Sequence, residues 1–235
     1  MRIGEDFEKI EFDFLGLHLM EPNAFLGDSL IFVVALLVAH KVKKFAVQSP
    51  FFVLWRRFFL VFGLGFFVGG LGHLFYGYVG LMGKYPPLYL GILSSVFAEK
   101  AMVSLHPNPA VRGLVEKLIY LKLGLALVAA TLVFALVDLS VDPSKGLIVT
   151  TINGAIGSVY ALAYLGLKFA RTLTPSFHYM WLAVLVLLPT ALVQSTKFNL
   201  HPWFDRNDLS HLFVAASVLL YYHGLRGYQR SLKND

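Results

Sequence analysis

The chain contains no cysteine, which excludes disulfides, thiolate nucleophiles and Cys-ligated zinc together. Any bound metal has to use His, Asp, Glu or Asn. Charge is scarce as well: 14% of residues are Asp, Glu, Lys or Arg against 57% hydrophobic, and the mean hydropathy is +0.67. That is too apolar for a soluble globular domain. There is no HExxH, no glycine-rich phosphate loop between a strand and a helix, and no internal repeat. The N-terminus lacks a basic n-region and opens instead on Glu5, Asp6, Glu8, Glu11 and Asp13, so no cleaved signal peptide is expected. The formal charge of +6 does not point to nucleic acid, because the basic residues flank apolar runs rather than forming a stripe with aromatics.

What is present reads as an all-α polytopic membrane protein. A helix needs roughly 20 mostly apolar residues to cross the hydrocarbon, and seven such runs can be placed, at about 22–40, 58–79, 87–105, 118–138, 146–169, 177–197 and 207–225. Loop Lys and Arg divide twelve to six between the two sides, with five in the first loop. That bias predicts an external N-terminus and a cytoplasmic C-terminus, in a plasma membrane. The expected division is an interfacial lead-in over 1–21, a seven-helix domain over 22–225 and a cytoplasmic tail over 226–235. Phe7, Ile10, Phe14 and Leu17 recur at near-helical spacing, which predicts a short helix over 7–20 lying in the outer interface; an irregular acidic lead-in is the other reading.

The polar residues inside these runs carry the functional reading, since an ionisable group in hydrocarbon is costly and by default functional. Asn207, Asp208 and His211 open the seventh run within one helical turn and can turn toward one cavity. His73 lies near the end of the second run, on a stripe with Gly65, Gly69 and Gly77 that lets a neighbouring helix approach. Glu21, Asn23 and Asp28 open the first run. Helix direction puts all of these in the outer half of the bilayer. Two imidazoles, a carboxylate and an open position suit catalytic zinc, whose bound water becomes a hydroxide nucleophile near neutral pH. The oxygen set Glu21, Asn23 and Asp28 suits a hard cation such as calcium. Gly69, Ser94, Asn153 and Gln194 are expected to line the pocket. Glu99 and Lys122 fall at equal depth on neighbouring helices and are expected to form a structural ion pair.

These residues resemble a family. Seven crossings, an acidic start to the first, a histidine late in the second and a histidine motif opening the seventh look like the alkaline ceramidase branch of the CREST superfamily, which includes adiponectin receptors and hemolysin III-like proteins. The resemblance implies hydrolysis of a lipid amide by zinc-bound water. His73 matches the second-helix ligand, and His211 matches the second His of the seventh-helix His-xxx-His pair. Glu21 and Asp28 resemble the residues that open the first helix at a calcium site. Gly69 stands where the family has Ser, and Asn207 stands where it has the first seventh-helix His. A third ligand therefore falls to Asp208 or Asp28, which are also the expected catalytic carboxylates. The expected function is a metal-dependent hydrolase of a lipid or amphiphilic amide or ester, with membrane lipid as its partner. The alternatives are a non-catalytic bundle that binds or moves a lipid, ion or solute, and a b-type haem protein with His73 and His211 as axial ligands.

Overall fold

Proline marks where four of the long helices begin. It sits in the first turn of α1 (Pro22–Lys43), α2 (Pro50–Leu74), α4 (Tyr85–Ser104) and α5 (Pro109–Leu136), with the one-turn α3 (Tyr76–Val79) and a 3-10 segment (Gly80–Lys84) between α2 and α4. The first-turn N–H has no helical partner, so the missing donor costs nothing there. At α5 the Asn108 side chain also caps the amides of Ala110 and Val111, at 2.9 and 3.3 Å. The structure is a computed structural model that describes residues 9–45, 47–141 and 143–234. A continuous rod then runs through α6 (Ile148–Gly157), a π-helical stretch (Ser158–Tyr164) and α7 (Leu165–Thr172), followed by α8 (His178–Ser195) and α9 (Arg206–Asn234).

Five of these rods are long and apolar enough to cross a membrane, as expected of an integral membrane protein. The remaining two, α4 and α9, coincide with the expected runs 87–105 and 207–225 but carry polar residues that dilute their hydropathy: Glu99 and Lys100 in α4, and Arg206 to Asp208 with His211 in α9. Helix α5 shows what the outer surface of the bundle is made of. Leu114, Leu118, Leu121, Leu125, Val128 and Leu132 are all exposed, spaced by three and four residues along one face, a stripe that only an apolar surrounding makes tolerable.

The helix ends differ from the expectation in a consistent direction. Helices α2 and α5 start at Pro50 and Pro109, a turn or more before the apolar runs do. Arg56, Arg57, Arg112 and Lys117, counted among the loop charges, lie inside the N-terminal turns of these helices. Helix α9 likewise continues through residues 226–234.

The lead-in is not a helix. Glu11–Phe14 (β1) and Leu17–Met20 (β2) form an antiparallel hairpin in which Asp13 faces His18. Leu15 and Gly16 supply the turn, with φ of 50° and 78°; two consecutive left-handed residues are what a two-residue hairpin needs. The periodicity that pointed to a helix came from Ile10, Phe14 and Leu17, with Phe7 outside the described residues. The hairpin is tied down by the His18 N–H donating to Tyr78 Oη (2.9 Å) and the Glu21 N–H donating to the Ile10 carbonyl (2.8 Å).

In the bundle α2 lies between α1 and α4, while α9 packs against α1 and α8. Glycines allow the close approach: a Cβ on Gly63 would come within 2.9 Å of Ala35 on α1, and one on Gly65 within 3.2 Å of Leu90 on α4. Phe51, Phe52, Trp55, Phe59, Phe169 and Phe177 form an aromatic core, each at most 1% exposed, at the end of the bundle away from the hairpin. The hairpin end is where the polar groups gather.

Candidate functional site

Helices α1, α2 and α9 bring their ionisable groups together in pairs. The Glu21 carboxylate is 2.8 Å from His73 Nδ1, and Asp28 Oδ1 is 3.0 Å from His211 Nε2. Asn23 donates to Asp208 Oδ2 at 2.8 Å. Of the acidic residues in these contacts, Glu21, Asp28 and Asp208 are each less than a tenth exposed. The expected meeting of helices one, two and seven is therefore formed, but as three separate two-residue contacts.

Glu21 is the residue most strongly held. It is the N-cap of α1 in a left-handed conformation, φ 48° and ψ 53°, a region that L-residues other than Gly, Asn and Asp seldom occupy. That turn swings the chain from β2 into α1 and aims the carboxylate at His73. Lys9 bonds the other oxygen. Burial alone would raise the Glu21 pKa, but the His73 hydrogen bond and charge, with Lys9, outweigh it and hold the carboxyl at about 2. Lys84 is drawn into the same neighbourhood. Burial lowers its pKa, the Glu21 charge opposes that, and Lys9 and Arg206 add to the lowering. Its Nζ lies 5.2 Å from the centre of the Tyr76 ring.

His211 is enclosed. Its Nε2 faces Asp28, while Nδ1 is buried with no hydrogen-bond partner and lies against Gly27, where a Cβ would come within 2.4 Å. Phe66 meets the ring edge-on at 5.9 Å. The tautomer with the proton on Nε2, donated to Asp28, leaves the orphaned Nδ1 as the less costly acceptor. Gly27→Ala is therefore expected to push His211 off Asp28 and to lower stability by about 1–3 kcal/mol. At Gly69 a Cβ meets only ordinary contacts, 3.5 Å from Pro87 and 3.6 Å from Asp28 Oδ2, so Gly69→Ala should be neutral or stabilising. Thermal unfolding of the two variants in detergent micelles checks the contrast.

Several expected site residues are engaged elsewhere. Asp205 caps α9 through the amides of Asn207 (2.6 Å) and Asp208 (3.3 Å), and Asp208 Oδ2 accepts the Asp205 N–H in return at 2.9 Å. This is a capping box, and it occupies Asp208 together with Asn23. Asn207 turns toward α8, accepting from Gln194 at 3.2 Å. Ser94 donates to the Gly91 carbonyl of its own helix. Asn153 donates to Ser95 at 2.8 Å, beside the Glu99–Lys122 pair, whose N···O distance is 2.6 Å. Ser94 and Asn153 thus belong to the α4–α6 side of the bundle. Gln194 braces the start of α9, and Gly69 lies against Asp28.

The zinc that the resemblance implies needs three protein ligands and an open position. Among the described residues no three His, Asp or Glu side chains gather to hold a metal, and both nitrogens of His211 are walled in. The side chains present do not fit such an ion. The same enclosure leaves His211 without a nitrogen for a haem iron. Glu21, Asn23 and Asp28 also do not converge as a calcium-type oxygen set. Asn23 and Asp28 stand about 140° apart around the helix, and each of the three faces a different partner.

Residues 24–230 match a family model. The chain belongs to the family of unknown function DUF6962. No curated protein and no solved structure matches it. The DUF6962 match takes in Asp28, His73, Asp208 and His211 and begins three residues after Glu21.

Proposed function

We propose that the chain crosses the plasma membrane seven times with its hairpin end outside, and that it hydrolyses an amphiphilic ester or amide there with His73 as general base. Helices α4 and α9, of 20 and 29 residues, are long enough to span the hydrocarbon. Their polar residues face partners in the bundle: Glu99 meets Lys122, Asp208 meets Asn23, and His211 meets Asp28. The twelve-to-six division of the Lys and Arg residues that flank the apolar runs favours this orientation.

One observation carries the chemical reading. Glu21 fixes His73 through Nδ1, and Nε2 has no partner among the described residues on a ring whose side chain is 22% exposed. A carboxylate behind an imidazole sets its tautomer and stabilises the cation formed on proton uptake. Nε2 takes a proton from water as the water oxygen attacks the carbonyl carbon, and Glu21 supports the imidazolium. Lys84, whose charge interacts with Glu21, is the cation assigned to the charge that develops on the carbonyl oxygen, and Nε2 returns its proton to the leaving oxygen or nitrogen. The ceramidase-like resemblance favours a lipid amide among such substrates. A general base of this kind contributes about 10²–10⁴-fold. His73→Gln should therefore cut turnover of long-chain acyl esters and N-acyl amides in mixed micelles by that factor. Hydrolysis by H73Q at the wild-type rate would refute the reading. Retained binding of these amphiphiles with no turnover in either protein would assign the site to a non-catalytic binder.

A further inference from the structure

A second site lies at the opposite end of the bundle, where α2 begins, α4 ends and α5 begins. A cavity of about 580 Å³ opens there. Pro50, Val53 and Leu54 form its apolar wall, and Arg57, Lys100 and Glu116 bring charge to it. Arg57 is exposed and makes no hydrogen bond or ion pair among the described residues. Lys100 is bonded only to a neutral partner, the Tyr120 hydroxyl at 2.5 Å, with its Nζ 4.6 Å from that ring's centre. Glu116 is half-buried and pairs with neither cation among the described residues. Three charged groups thus share one cavity without neutralising each other.

The cavity is open to its surroundings and sets an apolar wall beside two cations and a carboxylate that do not pair among the described residues. Its charges set the complement: an anion between two cations, and one hydrogen-bonding cation opposite the carboxylate. We infer that this cavity binds the phosphoethanolamine headgroup of a phospholipid from the adjoining leaflet, the phosphate between Arg57 and Lys100 and the ammonium on Glu116. The acyl chains then run along Val53 and Leu54 onto the apolar face of α5. Basic pockets between helices near a membrane surface are suited to phospholipid heads. Here the carboxylate adds selection, because a primary ammonium donates hydrogen bonds to it and a quaternary choline cannot. This site involves none of the residues near His73 and stands independently of the hydrolytic reading.

Native mass spectrometry of the purified full chain in detergent micelles tests it, with phosphatidylethanolamine, phosphatidylcholine and phosphatidylglycerol of identical acyl chains titrated at equal concentration. Phosphatidylethanolamine should be retained about fivefold more than phosphatidylcholine, the scale of one charged contact near a membrane surface. Glu116→Gln should abolish that preference. The double variant R57Q/K100Q should lower retention of both lipids by roughly 25-fold, and R57K/K100R, which keeps both charges, should restore it. Lys117→Gln, on the same helix as Glu116 but away from the cavity, should change nothing. Equal retention of the ethanolamine and choline lipids, tighter binding of phosphatidylglycerol, or an effect of K117Q as large as that of E116Q would each overturn the assignment.

Discussion

Lys122→Met is expected to destabilise the protein by about 3–5 kcal/mol, the usual cost of stranding one member of a buried ion pair. Glu99 is 4% exposed, with Lys122 Nζ 2.6 Å from its Oε1 and 3.1 Å from the Asn153 carbonyl. A Cβ on Gly157 would meet Glu99 Oε1 at 2.4 Å, so the carboxylate is pressed onto the bare backbone just before the π-helical stretch. Water has little room to replace the lost ammonium. The charge then has to be protonated away or left unpaired, and both routes cost several kcal/mol in an apolar surrounding. Removing both charges is a different perturbation. In Glu99→Leu with Lys122→Met the pair leaves together and the desolvation penalty of each ion goes with it, so the double variant should lie within about 1–2 kcal/mol of the wild type. A double-mutant cycle of thermal unfolding in micelles reads the difference as a coupling energy. If the double variant is as unstable as the sum of the singles, the two side chains do not support one another, and the contact is only proximity.

The pair shows what the sequence made legible. Two opposite charges at matching depth on adjacent apolar runs can be placed from helix direction alone, because hydrocarbon permits few other solutions. Glu21, Asp28, His73 and His211 stood out for the same reason, as ionisable groups in runs that should have none. Their partners were another matter. Whether His73 faces His211 or Glu21 depends on the rotation of α1 against α2 and α9, set by which glycine each helix offers its neighbour, and a rise of one residue changes the facing direction by about 100°. A convergent metal site and separate His–carboxylate pairs have the same one-dimensional pattern. Lys9 and Lys84 were overlooked because they resemble ordinary loop cations. The Asp205-x-x-Asp208 spacing did carry a readable capping signal. Leu15-Gly16, placed between Phe12-Asp13-Phe14 and Leu17-His18-Leu19, was the mark of a hairpin that helical spacing obscured.

Glu21→Gln is expected to abolish the acid sensitivity that this residue confers, along with most of the hydrolytic rate assigned to His73. The folded carboxyl is held at about 2 from an ordinary value of 4.5. A depressed carboxyl stabilises the folded state fully above its unfolded pKa, here about pH 4.5, and loses that contribution as pH falls toward 2. At one pH unit per ~1.4 kcal/mol, the amount at stake is about 3 kcal/mol. The wild type should therefore lose stability steeply between about pH 5 and pH 2, and E21Q should start lower at neutral pH and fall less. Glycine separates the carboxylate from the backbone turn. Glu21 occupies a left-handed conformation that costs an L-residue roughly 1–2 kcal/mol and glycine little. Glu21→Gly should thus recover stability relative to E21Q at pH 7 while remaining as inactive, because it relieves the turn without restoring the group that orients His73. Unfolding midpoints from pH 7 down to pH 3, measured with turnover on the same preparations, check both parts. Should E21G regain activity together with stability, Glu21 would act only as a hinge between hairpin and helix, and the carboxylate would have no part in setting the imidazole.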